Sequence, residues 1–275
     1  MQESGRPELC SSRCLLLLLM NDSILINNPN AARASKWFPY GSPAPGDRLR
    51  LFCIPHAGGG ASAYRAWALA PPPGVAVYPI QLPGRESRFQ ETLFLDLRAL
   101  LGELTADLGE FLDVPFAFFG HSMGAIITYE WARSTAGSEM RHLFVSGRRA
   151  PHLPNRGRPL YDLSDESLIE ELRRMEGVPE NILNNDEWRR TSLPILRADF
   201  TMMDTYSWAP AAPLSIPISA VGGTQDPNVA IDEIHGWSRH TPRFRMHLLP
   251  GGHFFLRDAS AAVLDLVSRE LMGRD

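Results

Sequence analysis

Six short apolar runs mark the chain, at residues 49–54, 75–80, 115–119, 141–146, 216–221 and 244–249. Most are near-continuously apolar rather than alternating, the pattern of strands covered on both faces, and turn-forming residues bound them. Between them, residues 93–112 carry leucines at three- and four-residue spacing and predict a long amphipathic helix. Residues 61–69, 123–133, 230–239 and 258–272 predict further helices. Alternating strands and helices predict an α/β domain, with a mostly parallel central sheet and helices on both faces.

One stretch breaks the alternation. Between residues 146 and 216 the pattern offers helical pieces at 165–175, 186–195 and 197–203, and no strand. That is too long for a simple crossover. It predicts a helical lid, about residues 150–213, over the carboxyl ends of the strands, where α/β sheets put their sites. Residues 1–35 have no sustained period and are expected to be a disordered N-terminal extension, with Met20 an alternative start. Residues 36–275 then form one domain, entered through an irregular Pro/Gly-rich lead-in at 37–47.

Composition narrows the class. With 275 residues, 44% hydrophobic and 21% charged, the chain can bury a full core. A net charge of −4, with no basic stripe interleaved with aromatics, argues against nucleic acid as a partner. Cys10, Cys14 and Cys53 are odd in number and form no Cys-x-x-Cys pair. No disulfide framework, zinc site or other metal is expected, and a reducing, cytoplasmic setting fits. The aliphatic run 15–19 is far short of the ~20 residues of a membrane span, and no A-x-A cleavage site follows it closely. No coiled-coil heptads stand out, so a monomer is expected.

The candidate chemistry centres on Gly120-His121-Ser122-Met123-Gly124, between an apolar run and a helical pattern. This is the setting of G-x-S-x-G, a serine on a sharp strand-to-helix turn. A serine hydroxyl needs a base to take its proton, and with this turn the acid and then the base follow along the chain. His253 lies in a loop between the last predicted strand and the last helix. By contrast, His247 lies inside a strand and is expected to face packing, and His235 and His240 lie at a helix and are expected to be solvated. Asp226 is the only carboxylate in the loop Gly222-Gly223-Thr224-Gln225-Asp226-Pro227; Asp232 and Glu233 read as surface charges. Two backbone N–H groups are required for a developing oxyanion, and Met123 and Ala57 are the candidates. Ala57 sits in His56-Ala57-Gly58-Gly59-Gly60, which lacks the spacing of a nucleotide-phosphate loop. His56 and His121 read as structural neighbours of the site. In the lid, Asp199 and Asp204 read as local caps or salt-bridge partners.

Several motifs occur in order: Pro55-His56-Ala57-Gly58-Gly59, Gln81-Leu82-Pro83-Gly84-Arg85-Glu86, Gly120 to Gly124, Leu196-Arg197-Ala198-Asp199-Phe200, the Asp226 loop, and Pro250-Gly251-Gly252-His253-Phe254-Phe255. Together, from Trp37 onward, the chain resembles a type II thioesterase, the discrete α/β-hydrolase accompanying polyketide and nonribosomal peptide synthetases. The resemblance implies hydrolysis of acyl thioesters from the phosphopantetheine arm of acyl or peptidyl carrier proteins, with no cofactor of the enzyme's own. It implies Ser122 as nucleophile, His253 as base and Asp226 as orienting acid. Phe200, Met203 and Tyr206 are the expected lining of an acyl channel. Arg148, Arg149, Arg156 and Arg158 form a basic segment that reads equally as a carrier-docking patch or as solvated surface. Alternatives are an ester hydrolase or acyltransferase on small-molecule acyl groups, a medium-chain fatty acyl thioesterase, or a catalytically silent carrier-binding relative.

Overall fold

The computed structural model describes residues 35–135, 139–175 and 177–273; the extension expected over residues 1–35 lies outside these, save for Ser35. Strands β1 (Arg50–Ile54), β2 (Ala76–Pro79), β3 (Phe116–His121), β4 (Met140–Ser146), β5 (Ile218–Gly223) and β6 (Phe244–Leu249) form one sheet. Their order is β2-β1-β3-β4-β5-β6, and every neighbouring pair is parallel. From β1 the chain first steps outward to β2, then returns past β1 and fills the other side. The crevice of such a sheet opens where that direction reverses, beyond the carboxyl ends of β1 and β3.

Alternation along β1 to β5 sends side chains to two buried layers, while the edge strand β6 leaves Met246 and Leu248 exposed. Phe52, Ile54, Phe118, Leu143 and Val145 join one core with helices α2 (Leu97–Leu108) and α3 (Met123–Ser134), and Phe118 stacks on Trp131 at 4.5 Å. Leu51, Cys53, Phe119 and Phe144 join the other core, with Trp67 of helix α1 (Arg65–Leu69) and Val263 and Val267 of the C-terminal helix (Ser260–Met272). Burial on both faces is what the unbroken apolar runs require. Cys53 is a free, buried thiol, and burial pushes its pKa up.

Several boundaries differ from the sequence pattern for local reasons. The helix expected over 93–112 starts at Leu97, because the Asp96 carboxylate caps it by accepting the Ala99 N–H at 2.9 Å. It ends in a 3₁₀ turn, Gly109–Leu112. Strand β3 runs on through Gly120 and His121. The lead-in is irregular, yet Trp37 is buried, giving its indole N–H to Asp107 at 2.9 Å under the Arg88 guanidinium.

Between β4 and β5 lie three helices, α4 (Asp165–Arg174), α5 (Glu180–Leu183) and α6 (Asp186–Asp204). The pieces expected at 186–195 and 197–203 are one continuous helix with Pro194 inside it. A proline removes one backbone N–H and usually breaks or kinks a helix. Here Leu193 and Leu196, on either side, bury against Leu168, Leu172 and Leu183 and hold the helix together. After β5, the helix expected over 230–239 is a short α7 (Ile231–His235) followed by a 3₁₀ turn, Gly236–His240; the last helix, α8, is Ser260–Met272. No helix among the described residues is long and apolar enough to cross a membrane.

Two expected surface groups are interior. Glu233 is buried, accepting the Ala230 N–H at 2.9 Å and pairing with Arg156 at 3.0 Å. His240 is buried between the Tyr129 hydroxyl at 2.7 Å and His152 at 2.8 Å. His247, expected to face packing, is instead half-buried beside Glu270 of α8 at 3.3 Å.

Buried histidines set a pH dependence for the fold. His142 of β4 sits against Ser219 Oγ at 2.9 Å, and burial, then the charges of Arg245, His247 and Arg243, press its pKa to about 3. Burial and His152 press His240 to about 4. Unfolded, both would bind a proton near pH 6.5, so the unfolded chain takes up more protons as acid is added. The stabilisation is complete above that pH and is lost as pH falls from about 6.5 toward 4. Urea unfolding midpoints are therefore expected to fall across that window, and His142→Gln to flatten the slope; an unchanged slope would show that these imidazoles titrate alike in both states.

Candidate active site

Ser122 stands between β3 and α3 with φ 53° and ψ −111°, a left-handed backbone that few non-glycine residues adopt. Such strain persists only where the surroundings over-determine it. Here the Ser122 N–H donates to the Ser146 carbonyl at 2.7 Å, and the flanking glycines admit close neighbours. A Cβ on Gly124 would lie 2.1 Å from the Ile54 carbonyl oxygen, and one on Gly120 would lie 2.1 Å from that of Gly124. The turn therefore fits only where helix and strands nearly touch.

Two loops bring the partners in. After β5 and β6 the chain zips together, Thr224 N–H to Leu249 O at 2.8 Å and Gln225 N–H to Gly251 O at 2.9 Å. Asp226 and His253 are carried into contact. Oδ2 of Asp226 lies 2.8 Å from His253 Nδ1, while Oδ1 accepts the N–H groups of Asn228 at 2.8 Å and Val229 at 3.2 Å. Nε2 of His253 lies 3.1 Å from Ser122 Oγ. The carboxylate, sealed and held by backbone, presents one oxygen to the imidazole.

Around this chain of contacts the histidines are held neutral. Burial, with the nearby charges of Arg257 and His253, presses His56 to about 4. Burial and His253 lower His121 as well; its Nδ1 lies 2.9 Å from Ser146 Oγ. The N–H groups of Ala57 and Met123, at the ends of β1 and β3, have no protein acceptor among the described residues. A cavity of about 180 Å³ opens onto Ser122, His253 and Ala57. From the insertion, Trp188, Ser192, Leu196 and Phe200 line it along one stripe of α6, and Leu172 and Met175 close the side. Of the expected channel residues only Phe200 faces it. Met203 is buried in the main core, and Tyr206 bonds Glu130 at 2.5 Å and faces a different cavity. No group of three potential metal ligands occurs among the described residues.

Residues 49–271 match the family model described as the thioesterase domain. The chain belongs to the thioesterase family. Among its relatives, linear gramicidin dehydrogenase LgrE of Brevibacillus parabrevis is 38% identical over 244 residues, covering 86% of this chain and 93% of that protein. Thioesterase PikA5 of Streptomyces venezuelae is 35% identical over 256 residues, 90% of each. The type II thioesterase BorB from the borrelidin biosynthetic cluster superposes with a TM-score of 0.76 at 37% identity, covering 84% of this chain and 96% of that one. Its domain, relatives and α/β-hydrolase fold make this protein a thioester hydrolase.

One part of the thioesterase site was not legible as such in the sequence. Asp199 of α6 accepts the Gly58 N–H at 2.7 Å and receives a two-pronged contact from Arg85, at 2.7 and 2.8 Å. Both side chains are buried. The glycine loop beside Ala57 is thus fixed by a carboxylate from the insertion, itself fixed by a guanidinium from the loop after β2. Asp199 had the look of a local cap or a salt-bridge partner, and the second holds, with Arg85, which read only as a motif member, as the partner. Of the basic segment, Arg156 and Arg149 face Glu233 at 3.0 and 3.8 Å and Arg158 faces Glu171 at 3.4 Å, whereas Arg148 Nε is buried without a hydrogen-bond partner among the described residues.

Removing one partner of a buried ion pair leaves an uncompensated charge, whereas replacing both with apolar groups is often neutral. Asp199→Ala is expected to lower unfolding free energy by about 3–5 kcal/mol, and Arg85→Met with Asp199→Leu to recover most of it. The double variant should still turn over thioesters slowly, because the Gly58 N–H has lost its acceptor. Denaturant unfolding and steady-state rates on the wild type, Arg85→Met, Asp199→Leu and the double variant test the pair; additive losses would mean that the two residues act separately.

Proposed function

We propose that this thioesterase removes acyl groups from the phosphopantetheine arms of acyl or peptidyl carrier domains, editing or releasing chains during polyketide or nonribosomal peptide assembly. The observation that carries the reading is the contact chain Asp226–His253–Ser122, ending at an apolar cavity walled by the insertion. The borrelidin-cluster origin of BorB supports the pathway.

In this mechanism the Ser122 oxygen bonds to the thioester carbonyl carbon while its proton passes to His253 Nε2. The carbonyl oxygen, now negative, lies between the N–H groups of Ala57 and Met123. Asp226 stabilises the imidazolium through Nδ1. As the carbon–sulfur bond breaks, the pantetheine sulfur takes the proton from His253 and leaves as a thiol. Water then gives a proton to His253 and adds to the acyl–serine ester; collapse returns that proton to Ser122 Oγ and frees the acid. No cofactor of the enzyme takes part. The acyl group occupies the cavity beside Phe200, and α4–α6 act as a lid. The same reading makes the enzyme a cytoplasmic monomer.

The name of LgrE raises a hydride-transfer reading. The glycine loop does not favour it, since residues 56–60 lack G-x-G-x-x-G spacing and the Gly58 N–H already serves Asp199. The competing readings are an ester hydrolase or acyltransferase acting on small-molecule acyl groups and a medium-chain fatty acyl thioesterase.

Ser122→Ala and His253→Ala are each expected to cut acyl turnover by at least ~10³-fold with the fold intact. Asp226→Asn should cost up to about 10⁴-fold, by setting the wrong tautomer. An acyl series presented on carrier protein, on pantetheine and as simple esters is expected to be hydrolysed fastest from the carrier. Equal or faster turnover of simple esters would sink the carrier assignment.

A further inference from the structure

A second cavity, of about 260 Å³, lies beside α3, between the segment leaving β4 and the residues that follow α6. Its polar lining consists of Arg148, Arg149, His152, Asn155, Ser207 and Trp208, with Tyr206, and includes no carboxylate. One donor there, Arg148 Nε, is sealed from solvent and has no hydrogen-bond partner among the described residues; the Trp208 indole N–H is turned to the Tyr129 hydroxyl. The acids that act on Arg148 from a distance are engaged elsewhere. Asp204 accepts the N–H groups of Leu160 and Tyr161 at 2.6 and 3.4 Å, and Glu233 serves Arg156 and Ala230.

A buried guanidinium nitrogen without a partner is costly, and most proteins pair it. Here it meets open space instead of a packed side chain, as an exchangeable counter-ion requires. Burial lowers the pKa of Arg148 only to about 10, so the group stays cationic at neutral pH. The place is also close to the chemistry. Arg148 follows by two residues the Ser146 carbonyl that holds the Ser122 N–H, and Ile126 of the cavity wall lies four residues beyond Ser122, about one helical turn of 5.4 Å.

We propose that this cavity binds an oxyanion of the substrate, a phosphate or carboxylate group, through the Arg148 guanidinium. Its assignment to the substrate rests on the thioesterase reading; the binding itself does not. Two sources fit the chemistry: the phosphodiester of the pantetheine arm, and an acidic acyl group.

Calorimetric titration of the full chain carrying Ser122→Ala with inorganic phosphate, and separately with acetate, tests the site without turnover. Arg148→Gln is expected to weaken binding roughly tenfold or more, since charge-assisted contacts are the strong ones. Arg148→Lys keeps the charge but loses the planar fork of donors, and should weaken it about threefold. If the arm supplies the anion, Arg148→Gln raises KM for acyl-phosphopantetheine and leaves acyl-pantetheine unchanged. If the acyl group does, it raises KM for malonyl-pantetheine and leaves butyryl-pantetheine unchanged. Binding that is absent, or that neither variant weakens, overturns the proposal. Should Arg148→Gln not fold, Arg148→Lys carries the same test. Failure of the Ser122 mechanism would show separately, as turnover surviving in Ser122→Ala with anion binding intact.

Discussion

Gly124 lies against the Ile54 carbonyl with no space for a Cβ, and much of the site follows from that contact. It sets the first turn of α3 onto the end of β1, so the loops after β1 and β3 face each other across the sheet's reversal point. It also fixes Ser122 in a left-handed backbone that no regular strand or helix would supply. The strain is local, held by the Ser146 carbonyl behind it and by two packed cores on either side. A shallower crossing would relax the turn and separate Met123 from the glycine loop.

The remaining groups are placed by short-range economy. Asp226 uses one oxygen to anchor its own loop and the other to meet His253. Such a carboxylate cannot swing away without losing backbone bonds, so the imidazole inherits its orientation. His56 and His121, pressed to the neutral form by burial, add no further positive charge beside it. His253 is left without a competing imidazolium next to it.

Much of this was legible in the sequence, and the reason is geometric. In a doubly covered parallel sheet, strands are unbroken apolar runs, and whatever follows each run stands at the functional edge. Ser122, Asp226 and His253 each follow such a run, and the fold sets their side chains in one contact chain. What was hidden depends on partners far along the chain. Asp199 and Arg85 are 114 residues apart, and nothing local separates a buried carboxylate from a helix cap. Glu233 and His240 are shielded by remote elements in the same way. Pro194 pointed to a break that tertiary packing overrides. Met203 and Tyr206 lie beside the Phe200 stripe in sequence but face other surfaces of the fold.

Helix α6 carries two kinds of residue on neighbouring tracks. Trp188, Ser192, Leu196 and Phe200 form the cavity wall, four residues apart, while Asp199, one position from the last, grips the glycine loop. The wall can thus be redrawn by substitution along one track while the adjacent track keeps the loop in register. A lineage changing its acyl substrate would have room to do so without rebuilding its catalytic apparatus. Conversely, any motion carrying α6 away from the sheet would release the Gly58 N–H, so that an opened enzyme is also a disarmed one.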